Sequence, residues 1–128
     1  MFNKISGTVF IVDDNDMLSM ALEDYITEKT PHKVRVFATG EDCIRHLDEG
    51  PDVVILDYYL NSVKHTAADG SKILQAIKRF NPGIHVIMLS GQDAYGAALQ
   101  TIMKGADSYV IKDSDAFTKV LKILEGLR

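Results

Sequence analysis

Apolar residues along this chain gather into short runs separated by longer stretches in which they recur every third or fourth position. Thr8-Val9-Phe10-Ile11-Val12 stops abruptly at Asp13-Asp14-Asn15-Asp16, and Val53-Val54-Ile55-Leu56 is opened by Pro51-Asp52 and closed by Asp57. Runs of this length, rich in β-branched residues, predict strands buried on both faces. Ile84 to Leu89, ending at Ser90, and Ser108 to Ile111, ending at Lys112, read the same way. Lys33-Val34-Arg35-Val36-Phe37 alternates polar and apolar, as an outer strand with one wetter face does.

The stretches between them carry helical spacing. Leu18, Ala21, Leu22, Tyr25 and Ile26 predict an amphipathic helix capped by Asn15 or Asp16 and closed by Thr30-Pro31. Thr39 caps a short helix over Glu41 to Leu47, with Cys43, Ile44 and Leu47 inward and Gly50-Pro51 beyond it. Gly70 to Phe80 is helical through Ile73, Leu74 and Ile77, and Asn81-Pro82-Gly83 is turn chemistry. Ala94 to Met103 reads as a weakly anchored helix, because it holds Gly96 and several alanines, and Gly105 ends it. A last helix, capped by Ser114 or Asp115, places Phe117, Val120, Leu121 and Leu124 on one side. Tyr58 to Asp69 has no period and exceeds the usual ~2–6 residues of a strand-to-helix loop.

Strand and helix alternate five times without a repeat or linker, so residues 1–128 are read as one domain. That alternation predicts an α/β fold: a five-stranded parallel sheet, order 2-1-3-4-5, doubly wound with five helices on its two faces.

Composition narrows the function. The net charge of −4 argues against direct nucleic-acid binding, which needs a basic face. The single Cys43 excludes an internal disulfide and a cysteine metal site. No secretory signal and no stretch near the ~20 apolar residues of a membrane helix is found, so a cytoplasmic protein is expected.

Four of the five predicted strands end in reactive groups: Asp13-Asp14, Asp57, Ser90 and Lys112. Taken singly, an Asp pair is more often a helix cap, a Ser a turn residue and a Lys a solvated charge. In a parallel sheet, however, these ends share one edge, where open α/β folds place their sites. Clustered carboxylates need a counterion, and an all-oxygen set suits Mg²⁺. With a hydroxyl and an ammonium added, the set is equipped to handle a phosphoryl group.

Ile11-Val12-Asp13-Asp14, Val54-Ile55-Leu56-Asp57, Met88-Leu89-Ser90-Gly91 and Gly105-Ala106-Asp107-Ser108-Tyr109-Val110-Ile111-Lys112 together resemble the receiver (REC) domain of two-component response regulators, over essentially the whole chain. The resemblance implies a flavodoxin-like fold and phosphorylation of Asp57 by a sensor histidine kinase or a histidine phosphotransfer protein. It implies Mg²⁺ held by Asp14, by Asp13 mainly through water, by Asp57 and by the backbone carbonyl of Tyr59. Ser90 then hydrogen-bonds the phosphoryl group, Lys112 pairs with it, and Tyr109 changes rotamer as the serine moves. The output face is formed by the fourth helix, fifth strand and last helix, which also offers a homodimer surface. Such a domain is a signalling phospho-acceptor, not an enzyme beyond self-phosphorylation and autodephosphorylation.

Three departures from the family pattern bear on this. Asp113 replaces the usual Pro after the lysine; because a cis bond without Pro costs about 2.5–4 kcal/mol, a trans Lys112–Asp113 bond and an altered start to the last helix are expected. The segment after Asp57 is longer than usual and lacks the Met-Pro, while Asp69-Gly70 matches the Asp-Gly that opens the third helix. It is either a tolerated insertion or an element that selects the kinase or gates the site. The chain also stops at Arg128, as a stand-alone receiver or a piece of a longer protein would. Two alternatives remain: a degenerate receiver working as a phosphorylation-independent interaction module, and a Mg²⁺-dependent aspartyl-phosphate phosphohydrolase. The latter usually carries a second Asp two residues after the nucleophile, where Tyr59 stands. His32, His46, His65 and His85 have no ligand spacing, and His85 is expected in mid-strand as a satisfied imidazole.

Overall fold

The computed structural model describes residues 7–58, 70–91 and 105–127. In chain order it contains β1 (Thr8–Val12), α1 (Asp16–Lys29), β2 (Lys33–Phe37), α2 (Gly40–Arg45), a 3-10 turn (Leu47–Glu49), β3 (Val53–Asp57), α3 (Gly70–Phe80), β4 (His85–Ser90), β5 (Ser108–Ile111) and a C-terminal helix (Ala116–Glu125). The strands form one parallel sheet in the order β2-β1-β3-β4-β5. Among the described residues there are four α-helices; the fifth expected helix, at 94–103, lies outside them.

The unbroken apolar runs follow from the two faces of this sheet. Phe10, Val12, Val54, Leu56, Val86 and Met88 join Ile73, Leu74 and Ile77 of α3 in one core, which also holds Cys43 and Leu47. The intervening residues Val9, Ile11, Val53, Ile55, Ile87, Leu89 and Val110 pack with Leu22 and Ile26 of α1 and with Val120 and Leu124 of the C-terminal helix. Each central strand therefore feeds both cores, and no position along it tolerates charge until it ends. β2 pairs only with β1 and keeps the alternating exposure its sequence predicts.

Local chemistry sets the element ends. The Asn15 side chain accepts the Leu18 N–H at 3.1 Å, and Thr39 Oγ1 accepts that of Asp42 at 3.2 Å. In α1 the buried positions are Ser19, Leu22 and Ile26, whereas Ala21, expected inward, is exposed. The helix expected through Leu47 stops at Arg45 and tightens into the 3-10 turn, which Gly50 ends at φ 76°. α2 approaches α3 so closely that a Cβ on Gly40 would overlap the Ile73 side chain. Burial pushes the Cys43 thiol up to about 12, so it is a core residue without reactivity.

The peptide bonds of the described residues are all trans, Lys112–Asp113 among them. The last helix begins at Ala116. Asp115 precedes it without a capping side-chain bond; instead the Asp113 carboxylate accepts the Asp115 N–H at 2.9 Å, and its carbonyl accepts that of Ala116 at 3.1 Å. His85 opens β4 rather than lying within it, and its Nε2 is 3.0 Å from Ser108 Oγ. His32 is also engaged, with Nδ1 accepting the Gly7 N–H at 3.0 Å.

Candidate phosphoryl-acceptor site

The period of two that builds the cores also sorts the groups at the strand ends. Asp13 and Asp57 continue the alternation of Val9, Ile11, Val53 and Ile55, and Lys112 continues that of Val110. All three therefore fall on the face covered by α1 and the C-terminal helix. Ser90 and Tyr109 have the opposite parity, and Tyr109 packs against the core beneath α3. The sheet register puts Asp57 beside Leu89 and Ser90 beside Ile111, so these ends lie on one edge.

The acids meet as the sequence predicts. Asp13, Asp14 and Asp57 each offer a carboxylate oxygen, and these oxygens lie within 4.8 Å of one another. Asp13 and Asp57 are 2% and 4% exposed, which makes uncompensated charge costly there. Lys112 supplies the compensation: its Nζ is 3.2 Å from Asp57 Oδ1 and 3.4 Å from Asp13 Oδ2. The other Asp13 oxygen accepts the Asn15 N–H at 2.9 Å. Burial first, and then the neighbouring Asp57 charge, still push the Asp13 carboxyl up to about 6, against the opposing pull of the Asn15 amide and Lys112. Donors that favour the ion are present, but they do not outweigh desolvation beside a second acid.

Three backbone hydrogen bonds fix the frame. Lys112 N donates to Ser90 O at 2.8 Å, tying the residue to the end of β4. Gly70 N donates to Tyr58 O at 3.1 Å, and Tyr58 N to Leu89 O at 3.1 Å. A Cβ on Gly70 would stand 2.7 Å from Asp57 O and 2.8 Å from Tyr58 Cα, so glycine is required where α3 abuts Asp57. The Asp69-Gly70 match found this residue, but not that reason for it. Tyr59, segment 59–69, Gln92 and the helix predicted at 94–103 lie outside the described residues.

Chemically, the described groups are a desolvated carboxylate held by an ammonium, with two further carboxylates alongside. Such a set neutralises a polyanion in a confined space and leaves a carboxylate oxygen able to act as nucleophile.

Comparison with known proteins points the same way. A family model described as the response regulator receiver domain matches residues 9–124. The transcriptional regulatory protein CssR of Bacillus subtilis is 27% identical over 124 residues, covering 94% of this chain and 52% of CssR. The response regulator protein VraR of Staphylococcus epidermidis is 29% identical over 123 residues, covering 92% of this chain and 56% of VraR. The chain thus spans about half the length of these two relatives. The chemotaxis protein CheY of Listeria monocytogenes is 28% identical over 118 residues, covering 91% of this chain and 94% of CheY. Among solved structures, the BeF3-activated DrrB receiver domain matches with a TM-score of 0.79 at 27% identity, over 94% of this chain and 98% of that one. NtrX of Brucella abortus shares the fold at TM-score 0.82 and 23% identity, over 95% of this chain and 27% of that chain.

Proposed function

The chain belongs to the response regulator receiver domain family, and on that premise we propose that residues 1–128 form one phosphorylation switch in which Asp57 accepts a phosphoryl group from a sensor histidine kinase or a histidine phosphotransfer protein. One observation carries the reading: Asp57 ends a buried strand in contact with Lys112, beside two further acids. In the transfer, an Asp57 carboxylate oxygen attacks phosphorus while the bond from phosphorus to the donor imidazole nitrogen breaks, and the nitrogen keeps the electron pair. Lys112 holds the attacking carboxylate in place beforehand and pairs with the phosphoryl oxygens afterwards.

The residues present fit Mg²⁺, since three carboxylates converge and all the donors are oxygens. Asp14, Asp57 and the Tyr59 carbonyl are assigned as direct ligands. Asp13 is assigned a role through water, in keeping with its two oxygens already facing the Asn15 N–H and Lys112. When bound, the cation neutralises charge on the phosphoryl oxygens. Ser90 is assigned the hydrogen bond to the phosphoryl group and Tyr109 the accompanying rotamer change. The altered face comprises segment 94–103, β5 and the C-terminal helix, which would also serve in homodimerisation. Tyr59 and Gln92, flanking the site in sequence, tune the lifetime of the phosphorylated state.

The proposal includes a cytoplasmic setting and no direct contact with nucleic acid or membrane; among the described residues no helix is long and apolar enough to cross a membrane. A phosphorylation-independent interaction module is the second reading, drawn from Asp113 and the long segment after Asp57. The Lys112–Asp57 contact, kept with Asp113 in place of Pro, favours the switch.

Incubation with Mg²⁺ and acetyl phosphate tests this. The expected result is a base-labile mass gain of one phosphoryl group, lost in Asp57→Asn. No gain in the native protein, or a gain that persists in that variant, overturns the assignment.

A further inference from the structure

Lys112 lies at the end of a four-residue strand on the sheet edge, paired on one side only, to β4. Its ammonium nevertheless crosses β4 to reach acids that end β3 and follow β1. A slip of one residue moves a strand by ~3.3 Å and turns each side chain to the other face. Something beyond four ladder positions must therefore hold the register of β5.

That hold is found at the other end of the strand. Asp107, just before β5, grips Val86 twice: its backbone N donates to Val86 O at 3.0 Å, and its Oδ2 accepts the Val86 N–H at 2.8 Å. The same oxygen receives Lys78 Nζ, from the last turns of α3, at 2.7 Å. Lys78 also donates to Ile84 O at 2.6 Å and Pro82 O at 3.3 Å, so the three ammonium protons face three acceptors. The Lys78 side chain is 17% exposed, which limits competition from water. One cation thus fastens α3, the turn before β4 and the entry to β5 together. The Lys78 stem closes the arrangement from the side, since a Cβ on Gly105 would sit 3.4 Å from Lys78 Cγ.

We propose that Asp107 and Lys78 are positioning residues that clamp the start of β5 and thereby deliver Lys112 to Asp57. The inference rests on the reading of Asp57 as acceptor and Lys112 as its partner. With Ser90 O holding the Lys112 N–H at the far end, the short strand is fixed at both ends and its side chains are aimed between two points.

The test uses Asp107→Asn, which keeps shape and removes charge, and Lys78→Met in case the first variant does not fold. Phosphorylation by acetyl phosphate at saturating Mg²⁺ is expected to slow about tenfold, since misplacement of a catalytic group on the ångström scale costs up to ~10²-fold. In a Lys112→Met background the same substitution should have no further effect, because the group it positions is gone. A role in stability alone would slow both backgrounds equally, and that outcome overturns the inference, as does a native rate in the single variants. Hydrogen exchange at the Lys112 amide supplies a readout independent of phosphorylation: faster exchange in the variants supports the clamp, and unchanged exchange overturns it. Absence of phosphorylation in the native protein would instead count against the acceptor reading, and the exchange measurement would still decide the clamp.

Discussion

The Lys112 ammonium lies 3.2 Å from Asp57 Oδ1, although their strands are not neighbours and β4 runs between them. A long side chain on the edge strand thus neutralises the acid at the centre of the sheet. The same ammonium is 3.4 Å from Asp13, so a single cation faces two buried carboxylates.

Removing that cation should affect both chemistry and stability. Lys112→Met is expected to slow acceptor phosphorylation by about 10²-fold, the usual cost of losing one preorganised donor of this kind. Its metal-free melting temperature should fall, because two buried acids lose their counter-charge. Calorimetry with EDTA and with Mg²⁺ checks this: the deficit is expected to shrink when the cation is added.

Asp13 should destabilise the metal-free fold at neutral pH. Its folded carboxyl is raised to about 6 from an ordinary value of 3.8, so the native state binds the extra proton. The contribution of this group to stability is therefore greatest below the lower value and declines as pH rises through the interval to about 6. Asp13→Asn is expected to remove that decline and to raise metal-free stability at pH 7 by on the order of 2 kcal/mol. Urea melts of both proteins across this pH range, in EDTA, provide the measurement.

Asp107 has the opposite sign. Burial raises its carboxyl, but hydrogen bonds from Lys78 and the Val86 amide, with the Lys78 and His85 charges, outweigh it and hold the group below its ordinary 3.8. Its ionised form accordingly contributes stability that is complete above 3.8 and is lost as pH falls below that value. The difference in melting temperature between the native protein and Asp107→Asn should therefore be present at pH 6 and close as the pH falls below 3.8 and through the carboxyl's lowered value.

Gly70→Ala should injure the site through the backbone alone. The new methyl would meet Asp57 O and Tyr58 Cα at distances no real contact shows. Relief requires α3 or the end of β3 to move, at a cost of about 1–3 kcal/mol. Reduced phosphorylation of Asp57 at saturating Mg²⁺, together with a lower melting temperature, is the expected pair of results.

The parts of this molecule written in local patterns were legible before the structure was known. The apolar run through Leu56 reads as a doubly buried strand, and its termination in Asp57 marked the candidate acceptor. Strand alternation and the ends at Asp13-Asp14, Ser90 and Lys112 led to the sheet order and to one shared edge. The Lys78–Asp107 pair was not legible, because its members are 29 residues apart and each resembles a solvated surface charge. Nor was the role of Asp113, which takes up the N–H groups of Asp115 and Ala116 while a neighbour occupies the capping position. The 3-10 turn after Arg45 was missed because Leu47 keeps helical spacing whether the last turn is loose or tight.

The hydrogen bond from Gly70 to Tyr58 has a consequence for how such a domain can diversify. The chain leaves β3 and enters α3 at one hydrogen-bonded junction, so the spacing of Asp57 and its neighbours is decoupled from the number of residues spliced between. Sequence can accumulate there, or be grafted there by design, without a change in the sheet. A reporter peptide or a foreign recognition segment inserted between Tyr58 and Gly70 is expected to leave the sheet and its Lys112–Asp57 contact intact.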